Sequence, residues 1–103
     1  MSLLLALFLA VNPPRVVEIS AKRFAFTPSE IHLRAGEPVT IRLVTTDRAH
    51  GLLVKELHID LDASVDDPDS ITITPSQAGT YTAICDHYCG IGHGSMKMKV
   101  IVE

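Results

Sequence analysis

An all-β fold is predicted for this chain: an antiparallel Greek-key β-sandwich or small barrel of seven to eight short strands. Three observations predict it. Apolar and polar residues alternate with period two through most of the chain past Arg15. Clusters of Gly, Pro, Asp and Ser interrupt that alternation at short intervals. No stretch carries the 3.6-residue period of a long amphipathic helix. With 103 residues there is enough chain for one domain, and with 47% apolar residues a single modest core needs no disulfide staple.

The elements follow in order. In EIHLRAGEP (30–38), Ile31 and Leu33 alternate with His32 and Arg34 before Gly36 turns the chain. In VTIRLVTT (39–46), Val39, Ile41 and Leu43 share one face, with Thr40 and Arg42 on the other. SITITP (70–75) alternates Ile71 and Ile73 with threonines, and TYTAIC (80–85) sets Tyr81, Ala83 and Cys85 on one side. MKMKVIVE (96–103) alternates Met96, Met98, Val100 and Val102 with Lys97, Lys99 and Ile101. β-Branched residues favour a pleated, half-buried surface, which suits all of these stretches. TPSE, AGEP, DDPDS and PSQAGT supply the turns between them.

Residues 1–14 are of different composition, and the domain is expected over 15–103. LLLALFLAV (3–11) is uncharged and apolar. As a helix it extends about 13 Å, against a hydrocarbon core of about 30 Å, so it does not span a bilayer alone. Three readings stand: a short export signal, a trimmed membrane anchor, or an element packed on the domain. Asn12, Pro13 and Pro14 then form a linker. A periplasmic or otherwise extracytoplasmic location, with membrane association through the N-terminus, is the expectation. The net charge of −3 argues against nucleic acid as a partner, since phosphate binding needs a basic face.

Chemistry concentrates in CDHYCGIGHGSM (85–96), which holds both cysteines and two of the five histidines. The spacing is Cys85-x3-Cys89-x3-His93-x2-Met96. A helical stripe facing the core would also produce these offsets. However, Gly90, Gly92 and Gly94 would cost a helix about 1 kcal/mol each, whereas they suit a loop wrapped closely around something. A Cys85–Cys89 disulfide would close a very small loop, stabilise little, and leave His93 and Met96 unexplained. A metal uses the whole set. Thiolates select Cu(I), zinc or iron–sulfur clusters, and two cysteines are too few for the usual four-cysteine cluster. Zinc would be content with Cys85, Cys89, His93 and one distant histidine, but has no use for Met96. A weak thioether ligand matters mainly for copper. The distant histidine is His50 in TTDRAHGLL, at the end of a strand where a Greek-key loop can meet the loop before the last strand. His32 and His58 lie on polar stretches and are read as solvated.

These motifs, with Asp-x2-His at 47–50, resemble the dinuclear copper-A domain, the cupredoxin module of cytochrome c oxidase subunit II and of nitrous oxide reductase. The resemblance runs from about Val16 to Glu103 and is most specific in YTAICDHYCGIGHGSM and TDRAHG. It implies a cupredoxin-like sandwich and two copper ions. Cys85 and Cys89 would bridge both coppers, and His50 and His93 would each ligate one. Met96 and the backbone carbonyl of His87 would be the weak ligands. It also implies a redox partner such as a c-type cytochrome, with oxidase subunit I as a possible second partner. Such a site has no open position for a substrate, so the module would not by itself be a complete enzyme. A mononuclear blue-copper electron carrier and a copper carrier or delivery protein are the alternatives. The mononuclear site needs only one cysteine, and the second cysteine favours two coppers.

The pattern departs from the family in two places. His87 stands where the family's oxidase members have a glutamate that also helps hold magnesium, so the magnesium bridge is in doubt. His87 is a candidate third imidazole. The chain has no tryptophan for an aromatic electron port. Phe24 and Phe26 in KRFAFTP are the nearest substitutes, and core packing is expected for both. Glu56, Asp60, Asp62, Asp66, Asp67 and Asp69 form an acidic stretch, read as a solvated connection that could also steer a basic redox partner.

Overall fold

The computed structural model describes residues 13–85 and 96–103. Among them are nine strands and one short 3-10 turn: β1 (Arg15–Lys22), β2 (Ala25–Thr27), β3 (Glu30–Leu33), β4 (Val39–Thr45), β5 (His50–Val54), the turn Lys55–Leu57, β6 (Ile59–Ala63), β7 (Asp69–Ile73), β8 (Gly79–Ile84) and β9 (Lys97–Val102). The strands form two sheets, ordered β2-β1-β4-β7 and β3-β9-β8-β5-β6. The all-β sandwich expectation holds. Two details differ. The count exceeds seven or eight, because β2 is only three residues long and has too little alternation to read from sequence. The sandwich is also not wholly antiparallel, since β1 runs parallel to β4 and β3 parallel to β9. Parallel neighbours need a crossover, and here the chain changes sheets between β2 and β3.

The period-two pattern becomes the core. Val39, Ile41 and Leu43 of β4 are buried, and β1 brings Ile19 and Ala21 beside them. From the facing sheet come Ile31, Leu33, Leu52, Val54, Ile59, Leu61, Ala83, Met98, Val100 and Val102. Full burial of a side chain such as Ile41 or Leu52 contributes about 1.5–3 kcal/mol. The alternate residues Lys97 and Lys99 are exposed. Ile71 and Ile73 of the edge strand β7 are only half covered.

Local chemistry sets the turns. Gly36 takes φ +82°, a left-handed value glycine adopts without strain, and its N–H donates to the Pro75 carbonyl at 2.7 Å. His58 takes a left-handed φ of 57° and closes the 3-10 turn by donating its N–H to the Lys55 carbonyl. Its exposure agrees with the solvated reading. Within the named strands, β5 and β8 share the register pair Leu53–Ile84, and β8 and β9 share six pairs.

Candidate metal centre

Three of the expected ligands lie within the described residues: His50, Cys85 and Met96. Each sits at a strand end. β5 begins at His50, β8 ends one residue before Cys85, and β9 begins one residue after Met96. The Cys85 N–H donates to the Met96 carbonyl at 3.2 Å, which carries the β8–β9 ladder one step past the Ile84–Lys97 pair. All three side chains are buried, with His50 at 0%, Met96 at 1% and Cys85 at 3% exposure. His50 Nδ1 lies 4.0 Å from Cys85 Sγ, although 35 residues separate them in the chain. The fold therefore brings the distant histidine to Cys85. His87, Cys89 and His93 lie outside the described residues, as does the apolar segment of residues 1–12.

A second group emerges behind His50. Its Nε2 is 2.7 Å from Asp47 Oδ1. A carboxylate only accepts, so Nε2 carries the proton and Nδ1 presents its lone pair toward the sulfur side. Asp47 is itself held: the backbone N–H of Arg23 donates to Oδ2 at 2.8 Å, and the Thr45 hydroxyl lies 3.2 Å from Oδ1 and 2.7 Å from the Arg48 carbonyl. Partial burial pushes the Asp47 carboxyl upward. The hydrogen bonds from the Arg23 backbone, the His50 ring and the Arg48 backbone outweigh that, and hold it well below the usual carboxylate range. Sequence reasoning noted Asp47 only as part of the Asp-x2-His pattern and assigned it no role. The available signal was an acid three residues before a candidate ligand, because metal-ligating histidines commonly give their other N–H to a carboxylate.

The donor types fit a soft, redox-active metal. A buried imidazole with a fixed tautomer faces a cysteine sulfur, beside a buried thioether. Cys85 is disulfide-bonded here, so its sulfur must be reduced before it can act as a thiolate. The described residues include no group of three or more His, Cys, Asp and Glu side chains able to hold a metal.

The remaining expectations divide. Phe26 is 3% exposed and packs in the core as expected, but Phe24 is 44% exposed and does not. The cause is position: Phe24 lies in the turn between β1 and β2, whereas Phe26 is the central, inward-facing residue of β2. His32 is exposed but bonded: Nε2 is 2.9 Å from Glu30 and Nδ1 3.5 Å from Glu103. In the acidic stretch Asp69 has a structural task, accepting the N–H groups of Asp62 and Ser70. Among the described residues no helix is long and apolar enough to cross a membrane.

Comparisons with known proteins place this geometry in context. Residues 2–102 match the model of the cupredoxin-like domain. Cytochrome c oxidase subunit 2 of Thermus thermophilus is 26% identical over 87 residues, covering 84% of this chain; the chain spans 64% of that relative's length. The fold matches the periplasmic domain of cytochrome oxidase subunit II of Bradyrhizobium japonicum, with a TM-score of 0.80 at 12% identity over 90% of this chain and 86% of that one. It also matches auracyanin A, a blue copper protein of Chloroflexus aurantiacus, with a TM-score of 0.69 at 21% identity over 88% of this chain and all of that one. The chain belongs to the cupredoxin-like domain family and is related to oxidase subunit II.

Proposed function

We propose that this chain is an extracytoplasmic electron-transfer module with a dinuclear copper centre. Cys85 and Cys89 would bridge the two ions, His50 and His93 would each ligate one, and Met96 and the His87 carbonyl would complete the set. The observation that carries this reading is the 4.0 Å approach of His50 Nδ1 to Cys85 Sγ, with the opposite ring nitrogen fixed by Asp47. When bound, the paired copper would share one electron between two metals. The chain supplies the rest. Asp47 orients the His50 ring, the buried Met96 and Cys85 side chains exclude water, and the strand ends hold the donors against rearrangement. Its partners would be a redox protein such as a c-type cytochrome and an oxidase core subunit. Residues 1–14 would act as export signal or membrane anchor ahead of the domain.

The test is reconstitution. The protein is reduced, loaded with Cu(II), and assayed for copper per chain and by electron paramagnetic resonance. Two coppers per chain and a hyperfine pattern from one electron shared by two equivalent nuclei are expected, and Cys85→Ser abolishes both. A single blue copper would replace this reading with the mononuclear one. Loss of copper to a chelator within minutes would indicate a carrier, and a colourless protein holding one zinc would defeat the proposal.

A further inference from the structure

Three of the chain's four lysines, Lys55, Lys97 and Lys99, lie together on the outer face of the five-stranded sheet. They line two shallow depressions of about 440 and 260 Å³ that meet at Thr82. Ladder register explains the arrangement: Ile84 sits opposite both Lys97 and Leu53, and Thr82 opposite Lys99. All three lysines are exposed, and none has an ion-pair partner among the described residues. Of the acids in the groove, Glu30 is engaged by His32, which leaves Glu56. Ile84, at 40% exposure, gives the patch an apolar centre. The patch begins beside two of the proposed ligands, since Ile84 precedes Cys85 and Lys97 follows Met96.

We infer that this groove docks a redox protein whose contact rim is acidic. The inference rests on the relay reading and names one of its partners. A relay needs both a donor and an acceptor. The chain offers surfaces of opposite sign for them: the lysine groove on β8 and β9, and the acids Asp66 and Asp67 in the turn after β6. On a chain of net charge −3, an acidic partner is repelled elsewhere and attracted here, which selects the orientation as well as the partner. Lysine side chains around an exposed isoleucine also match the general plan of a charged rim about an apolar centre. A partner seated there lies one residue from Cys85 and Met96.

The probes are a plant-type ferredoxin, which is acidic, and a basic mitochondrial cytochrome c. The 15N-labelled protein is titrated with each at about 10 mM ionic strength, where surface charge is weakly screened. Ferredoxin is expected to shift the amides of Lys55, Thr82, Ile84, Lys97 and Lys99, and the charge reversals Lys55→Glu and Lys99→Glu together to weaken its binding about tenfold or more. Cytochrome c is expected to leave those amides unmoved. Ferredoxin shifts elsewhere, no shifts, or cytochrome c shifts in the groove would overturn the inference. So would shifts of these residues that grow with the protein's own concentration, which would assign the face to a second copy. Copper per chain is counted on the same samples. A chain without copper fails the relay reading, while the footprint still decides the groove.

Discussion

Replacing Asp47 with alanine tests the arrangement around His50 most directly. The substitution removes the acceptor of a 2.7 Å bond from an imidazole with no solvent exposure. A buried donor left without a partner costs about 1–3 kcal/mol. The Arg23 N–H also loses its acceptor, but it lies in an exposed turn and regains water, so it adds about 0.5 kcal/mol. A total near 2–3 kcal/mol corresponds to a fall in Tm of about 10–20 °C for a domain of this size. Urea and thermal unfolding of the metal-free protein, with both variants in the same cysteine redox state, measure it. Asp47→Asn should fall between, because one amide oxygen can serve His50 or Arg23 but the amino group then faces the other donor. Arg23→Ala is the control: its side chain makes only a 3.6 Å contact with Asp47 and is half exposed, while the backbone bond survives, so a change under about 0.5 kcal/mol is expected. Without the carboxylate the proton on Nε2 loses the Asp47 acceptor, and copper affinity should drop about 10–100-fold. If Asp47→Ala unfolds within about 0.5 kcal/mol of the parent, the bond does not hold His50 and the argument fails.

Four other outcomes follow from the same structure. Ile41→Ala, at a fully buried position of β4, should cost about 2–5 kcal/mol in urea unfolding. Phe26→Ala should cost about 3–5 kcal/mol, whereas Phe24→Ser should stay within about 0.5 kcal/mol, because only Phe26 is packed. Gly36→Ala should cost about 1–2 kcal/mol through its left-handed φ alone, since the space a Cβ would enter is open. His32 should titrate above its usual 6.5 by NMR, raised chiefly by its bond to Glu30, opposed by desolvation, and raised further by Glu103. Its folded value exceeds the unfolded one, so its contribution to stability is complete below about pH 6.5 and is lost as pH rises through the folded value. His32→Asn should remove that component from the pH profile of unfolding.

Much of the sandwich was legible because its cause is local. Val39, Ile41 and Leu43 alternate with polar residues because one face of β4 meets the core, and the same holds for Met98, Val100 and Val102 in β9. What alternation does not encode is which strands become neighbours. The parallel pairs β1–β4 and β3–β9 arise from the crossover between sheets, and no residue of β1 announces β4 as its partner. Phe24 and Phe26 read alike in the sequence, yet the turn exposes only one. At the centre, the approach of His50 to Cys85 was legible from donor chemistry. Asp47 was not, because its carboxylate acts through His50, and that contact exists only once the β4–β5 loop has folded against Thr45 at the end of β4 and the Arg23 backbone in the β1–β2 turn.

The placing of the proposed donors at strand ends has a mechanical consequence. His50 opens β5 and Cys85 stands just beyond the end of β8, so their separation follows how these two strands pack. That packing includes the buried side chains of Leu52, Val54 and Ala83. Trimming Leu52 or Val54, two and four residues from His50, would weaken the fold and let the two donors drift apart, so the colour of the loaded protein should change along with its stability.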